Sequence, residues 1–245
     1  MAQSKKSFIQ SIILIVGGVL FFQSMLVAKE IPLKKSQQLV VVETSSWSAS
    51  KGWLQRYEYH HKRWEKVGRA MAVFVGRNGL GWGIGKHTLP KGATPLKKEG
   101  DGKAPAGIFA LKHAFGYAPF QTDYPYTIYH RYNHCVDDTT SRFYNNIVNA
   151  KEIKRDYKSR ELMRFKKNYY EYGVVVDHNH FGTQEAIKGR GSCIFLHIKN
   201  RPTAGCTVMQ PSEIKSLIRW LDAKKYPLLI QGTHAILPQL LQEVQ

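Results

Sequence analysis

The chain has 245 residues, 43 % apolar and 22 % charged, which is room for one large domain or two small ones and excludes a mostly disordered chain. Lys and Arg number 36 against 18 Asp and Glu, a net charge of +18, which favours anionic partners such as nucleic acid, acidic lipid or an acidic cell-wall polymer. Three cysteines are too few for a disulfide-built scaffold or for a structural zinc site made of thiolates alone.

Lys5 and Lys6 precede an uncharged run from Ser7 to Ala28, almost wholly apolar between Ile12 and Phe22. This is the layout of a secretory signal. Gly17-Gly18 and the small residue at its end favour cleavage after Ala28. An uncleaved anchor is the alternative, because 22 residues just span a bilayer, and only that form would contact the membrane. Either form places the remainder outside the cytoplasm, in the periplasm or cell envelope. Lys5 and Lys6 are the only charges in residues 1–28, so the mature chain carries +16. For an exported protein, anionic wall or envelope polymers are the expected polyanions and nucleic acid is not.

After a polar lead-in over 29–36, Gln38–Glu43 (QLVVVE) predicts a strand on its β-branched content. Trp53–Tyr59 alternates as a half-buried strand, and Met71–Val75 is a third. Turn signals follow at Asn78-Gly79 and Gly83, then a basic Gly/Pro-punctuated loop over Lys86–Ala104. Gly107–Leu111, Tyr126–Tyr132, Tyr172–Asp177 and Cys193–Ile198 read as further strands. Pro211 suits the first turn of a helix in which Ile214, Leu217, Ile218 and Leu221 share one face. Leu228–Gln231 returns as a strand, and 236–245 reads as a tail. Residues 37–235 are one mainly β unit with few helices. Lys151–Asn168 stands apart, with +5 in eighteen positions: a solvated helical face or a mobile flap.

The chemistry concentrates in Gly191–Met209 (GSCIFLHIKNRPTAGCTVM). A buried strand ends at His197, and a small-residue turn, Thr203-Ala204-Gly205, presents Cys206. A thiolate nucleophile needs an imidazole that lowers the thiol pKa and later returns a proton. Small neighbours leave room for substrate and for backbone amides facing an oxyanion. A buried structural Cys beside a core His is the bland alternative.

Several blocks in order resemble the L,D-transpeptidase catalytic domain of bacterial cell-wall enzymes (YkuD type), in a branch without wall-binding modules. The resemblance spans about Met71–Gln231. Asp101-Gly102-Lys103-Ala104-Pro105-Ala106-Gly107-Ile108-Phe109 is similar to a D-G-x-x-P-x-G-x-F segment. Val136-Asp137-Asp138 with Tyr144-Asn145 is similar to V-D-D … Y-N, and Tyr172–Asp177 to a Y-G-V-V-I strand. Ile194–His197 and Pro202–Cys206 are similar to the His and Cys blocks.

The resemblance implies a single mainly β (α+β) domain, a β-sandwich or open barrel, and a cysteine acyl transferase acting on peptidoglycan stem peptides. It implies Cys206 as nucleophile, His197 as general base and acid, and no metal or cofactor. Thr203, Ala204, Gly205 and Arg201 are the expected substrate and oxyanion residues, with the Gly205 and Cys206 amides as oxyanion donors. The chain departs where the usual Ser-x-Gly-Cys is followed by Arg, since Thr207 and Val208 follow Cys206 here. Arg201 or a residue of the basic segment is the expected substitute. The acyl acceptor is left open between an amine and water, the latter giving an L,D-carboxypeptidase.

Of the remaining cysteines, Cys135 and Cys193 are a candidate disulfide or two free thiols. Asp137-Asp138 reads as turn caps rather than an acid/base pair. Trp53, Trp64, Trp82, Tyr124 and Tyr126 are core or a sugar groove. Asp177-His178-Asn179-His180 admits a remote metal-nuclease reading, although alternate residues of an extended run point apart. A non-catalytic wall-binding protein is the third class.

Overall fold

The computed structural model describes residues 33–245 except Phe165, so the signal segment at 1–28 and the start of the lead-in lie outside the described residues. The strands are β1 (Gln38–Thr44), β2 (Lys51–His60), β3 (Arg63–Phe74), β4 (Leu80–Trp82), β5 (Ala104–Gly116), β6 (Tyr126–Ile128), β7 (Asn133–Cys135), β8 (Ile147–Asn149), β9 (Glu161–Leu162), β10 (Tyr172–Val176), β11 (Phe195–Ile198), β12 (Thr207–Met209) and β13 (Leu228–Thr233). The helices are α1 (Pro211–Trp220) and α2 (Leu237–Gln242).

The main sheet runs β10-β11-β12-β3-β2-β1-β13-β5, and β5 also pairs with β10. The sheet therefore closes into a barrel rather than staying open, which removes the exposed edges of its long strands. β4 and β6 pair with the two ends of β5. The mainly β expectation holds.

Strand alternation divides the buried residues between two faces. Ala114, Val174, Val176, Leu196 and Met209 join one large core with β1, β13 and the apolar face of α1. Their neighbours Phe115, Val175 and Phe195 join a second cluster with Tyr129, Met163, Tyr170, Phe181 and Cys206. That second face is covered by the segment between β6 and β10, which carries a separate small sheet, β8-β7-β9. Gly173 has no side chain because a Cβ there would sit 2.3 Å from the Phe115 ring.

Several boundaries differ from the sequence reading. β3 begins at Arg63, well before Met71, because the outer half of the β2–β3 hairpin is polar and lies toward solvent. The Tyr126 strand stops at Ile128, and the chain then turns through His130–Asn133. The Cys193 strand starts only at Phe195, since Cys193 itself has φ +56°. Residues 237–242 are a helix rather than part of a tail, with Leu237 and Leu240 buried in the main core. The described residues of Lys151–Asn168 include no α-helix; the segment crosses the second cluster as β9 with Met163 fully buried.

Candidate active site

Cys206 and His197 arrive from adjacent parallel strands. In the β11–β12 register Leu196 faces Thr207 and His197 faces Val208. Phe195 and His197 are two apart, so the pleat turns both to the face that holds Cys206. Thr203–Cys206 forms the turn before β12. Thr203 pins it: its amide donates to the Val75 carbonyl at 3.0 Å and its carbonyl accepts from the Arg77 amide at 2.8 Å. The Thr203 hydroxyl donates to the Cys206 carbonyl at 2.6 Å and accepts from the Gly205 amide at 3.0 Å.

Cys206 is 8 % exposed. Its sulfur accepts from the Phe195 amide at 3.4 Å, and the thiol donates to the Cys193 carbonyl at 3.5 Å. Burial pushes the thiol up to about 12 against the smaller opposing effect of the Phe195 amide. His197 is also buried, which lowers it to about 4. Its Nδ1 lies 3.1 Å from the carbonyls of Tyr169 and Ile198. Both partners are acceptors, so Nδ1 carries the proton and Nε2 is the basic nitrogen. The Tyr170 ring stands edge-on to the imidazole at 4.8 Å. The resting state is thus a neutral thiol and a neutral imidazole, in contrast with the expected lowering of the thiol pKa by His197. Burial is the largest cause of both shifts.

Both residues line a cavity of about 260 Å³ with Thr203, Ala204 and Gly205. Lys97, Glu99, Asp137, Glu161 and Lys199 line it as well. Arg201 does not line the cavity; it hydrogen-bonds the phenol of the half-buried Tyr169 and lowers its pKa. The Gly205 amide is engaged by Thr203 within the turn, which takes it out of the expected oxyanion pair.

The family-like blocks of the sequence converge here. Asp101 accepts from Lys97 Nζ at 2.7 Å and from the amides of Lys98 and Lys103, holding the 98 %-buried Lys97 under the cavity. Asp138 caps a turn through Thr140 and Lys158. Asp137 does not cap: it faces the cavity. Tyr144 and Ser192 both donate to Glu99 Oε2, at 2.6 and 2.7 Å. Asn145 accepts from the Cys193 amide and donates to the carbonyls of His178 and Asn179, all at 2.9 Å. Cys135 and Cys193 are joined by a disulfide, with Cα atoms 6.0 Å apart.

The model of the YkuD L,D-transpeptidase catalytic domain matches residues 49–233. The chain belongs to the L,D-transpeptidase catalytic domain family. The match begins upstream of the stretch that resembled the family in sequence, taking in the β2–β3 hairpin. Searches of curated proteins and of solved structures each found no match.

Other residues singled out in the sequence lie apart from this cleft. His178 is buried and bonded to main chain on both sides: Nδ1 accepts from the Ile84 amide at 3.3 Å and Nε2 donates to the Arg190 carbonyl at 3.1 Å. Burial lowers it to about 3. His180 lies 3.7 Å from Glu185. Among the described residues no group of three His, Cys, Asp or Glu is placed to hold a metal, so the nuclease constellation does not assemble there. Trp82 and Tyr124 are core, whereas Trp53 is 61 % exposed on β2. The aromatic residues that do line the cleft, Tyr169 and Tyr170, were missed, as were Lys97, Glu99 and Glu161. Their only sequence signal was proximity to family-like blocks or to the basic segment.

Proposed function

We propose that this chain is an exported cysteine acyl transferase of peptidoglycan stem peptides, with Cys206 as nucleophile and His197 as general base and acid. The observation that carries the reading is the shared cavity of Cys206 and an imidazole whose Nδ1 is tied to the Tyr169 carbonyl. That carbonyl is the orienting group of the triad logic.

In this reading the Cys206 thiol adds to the carbonyl of the L,D peptide bond after the third stem residue, taken as meso-diaminopimelate. Nε2 of His197 takes the thiol proton as the carbon–sulfur bond forms, since little free thiolate exists beforehand. The Cys206 amide faces the developing oxyanion. The imidazolium then protonates the leaving D-alanine amine, and a thioester remains on Cys206. An amine acceptor releases it as a crosslink or an attached protein; water releases it as the tripeptide of an L,D-carboxypeptidase. No step requires a metal or cofactor. Export rests on the uncharged run Ser7–Ala28 behind Lys5 and Lys6. The +16 charge of the mature chain suits attraction to anionic wall or envelope polymers.

Mass spectrometry of tetrapeptide muropeptides incubated with residues 29–245 tests the reading. Loss of terminal D-alanine, with tripeptide or dimer formed only when Cys206 is intact, supports it. Unchanged muropeptides with both the intact protein and Cys206→Ala, together with retention on sacculi, would instead favour a wall-binding protein.

A further inference from the structure

The chain is strongly basic, yet the lining of the Cys206 cavity sets three carboxylates beside Lys97 and Lys199: Glu99, and from the insertion Asp137 after β7 and Glu161 at the start of β9. Asp137 Oδ1 is sealed from solvent and has no hydrogen-bond partner among the described residues. Glu161 meets the Tyr170 hydroxyl only at 3.5 Å. A buried carboxylate oxygen left unpaired is costly, and of the two lysines that line the cavity Lys97 is already paired with Asp101. Lys97 Nζ is held by Asp101 and the Lys98 carbonyl, and Lys199 lies over the Tyr169 ring at 5.3 Å.

The placement relative to the nucleophile is fixed by covalent and ladder contacts. Glu161 faces Cys135 across β9 and β7; Cys135 is bonded to Cys193; the Cys193 carbonyl receives the Cys206 thiol. A site for positive charge is thereby anchored in the cavity where a thioester would form. Water as acceptor has no use for such a site. A primary amine does, because at neutral pH it arrives as an ammonium and must lose a proton before it can attack.

We propose that Asp137 and Glu161 bind the primary ammonium of the acyl acceptor, and that Glu161 takes its first proton, which favours aminolysis over hydrolysis. This rests on the acyl-transferase reading above. The ammonium gives one proton to the Glu161 carboxylate. The amine adds to the thioester carbon, the carbon–sulfur bond breaks, and an amide forms. The second proton passes through His197 to the Cys206 sulfur, and Glu161 then releases its own to solvent. Burial and Asp137 raise the proton affinity of Glu161, with Glu99 adding to this while Tyr170 and Lys199 oppose it, the direction that suits a proton acceptor.

Three measurements test it. Intact-mass detection of acyl-Cys206 after mixing with tetrapeptide reports the thioester itself. The dimer-to-tripeptide ratio is then followed against the concentration of a diaminopimelate tripeptide acceptor. Glu161→Gln and Asp137→Asn are each expected to lower that ratio at least tenfold and to raise the KM for the amine. Glu152→Gln, on the solvent side of the insertion, should keep the wild-type ratio. Calorimetry with Cys206→Ala compares the tripeptide with its side-chain N-acetyl form, and a tenfold loss on acetylation is expected. A ratio within twofold of wild type in both cavity variants, or equal binding of the two tripeptides, overturns the proposal. Absence of acyl-Cys206 overturns the acyl-transferase reading instead, and calorimetry still decides the ammonium site. Should Glu161→Gln not fold, Asp137→Asn and the calorimetry decide.

Discussion

The Cys206 thiol donates to the main-chain carbonyl of Cys193 at 3.5 Å, and Cys193 is held at two further points, by its disulfide to Cys135 and by Asn145 Oδ1 on its amide. The Cys206 sulfur therefore rests on a segment fixed from the insertion side, not from its own turn alone.

Burial of Cys206 sets the pH dependence of its chemistry. With the thiol pushed up to about 12, the thiolate fraction at pH 7 is far below that of an ordinary cysteine. The rate of alkylation by iodoacetamide should climb through pH 9–10 without a plateau. A plateau near neutral pH would contradict the neutral resting pair. Cys206→Ala should abolish turnover while leaving the thermal midpoint within a few degrees.

His197 must be neutral to act as base, and burial lowers it to about 4. The acid limb of kcat/KM should therefore fall near that pH instead of near 6.5, the value of an unperturbed histidine. His197→Gln should reduce kcat by roughly a hundred- to ten-thousand-fold. An acid limb at 6.5 would show that another group is the base.

The same burial ties folding to pH. His178 and His197 have folded pKa values of about 3 and about 4, both below the unfolded value near 6.5. Below 6.5 the unfolded chain binds protons that the folded chain refuses, so stability present at neutral pH is lost as pH falls. Each histidine contributes a slope of about 1.4 kcal/mol per pH unit between about 6 and its folded pKa. Urea titrations at pH 7, 6 and 5 measure it, and His178→Gln should remove the His178 share.

The Cys135–Cys193 bond closes a sequence separation of 58 residues. The loop-closure estimate for that length is about 4 kcal/mol. Cys135→Ser with Cys193→Ser should lower the thermal midpoint by about 10 °C and reduce turnover, since it frees the segment under Cys206. Unchanged turnover would show that Asn145 alone holds Cys193 in place.

Asn145 is 1 % exposed and makes three hydrogen bonds to main chain. Asn145→Ala leaves an amide and two carbonyls buried and unpaired, costing about 3 kcal/mol. Chemical denaturation of the variant checks this, and a loss under 1 kcal/mol would mean that water replaces the side chain.

The amino-acid sequence was sufficient for the strands whose pattern is local. QLVVVE, YGVVVD and CIFLHI carry enough β-branched and apolar content to read as buried strands, and α1 carries a clear apolar stripe. The short strands β4, β7, β8, β9 and β12 did not read, because two- and three-residue pairings depend on partners distant in the chain. Cys206 and His197 were legible as a spaced pair of chemically suited residues. Glu161 was not, because within 151–168 it is one of three acids among eight basic residues.

What the sequence determined alone was the mainly β class, the basic charge, and the order of the family blocks, all of which follow from composition and short-range pattern. Only the tertiary structure decided that the sheet closes, that Asp137 lines one cavity whose Lys97, Glu99 and Cys193 are held by Asp101, Tyr144 and Asn145, and that Arg201 stays outside it. It also decided the protonation of the central pair: pKa values follow burial and neighbours, and neither exists until strands far apart in the chain have packed.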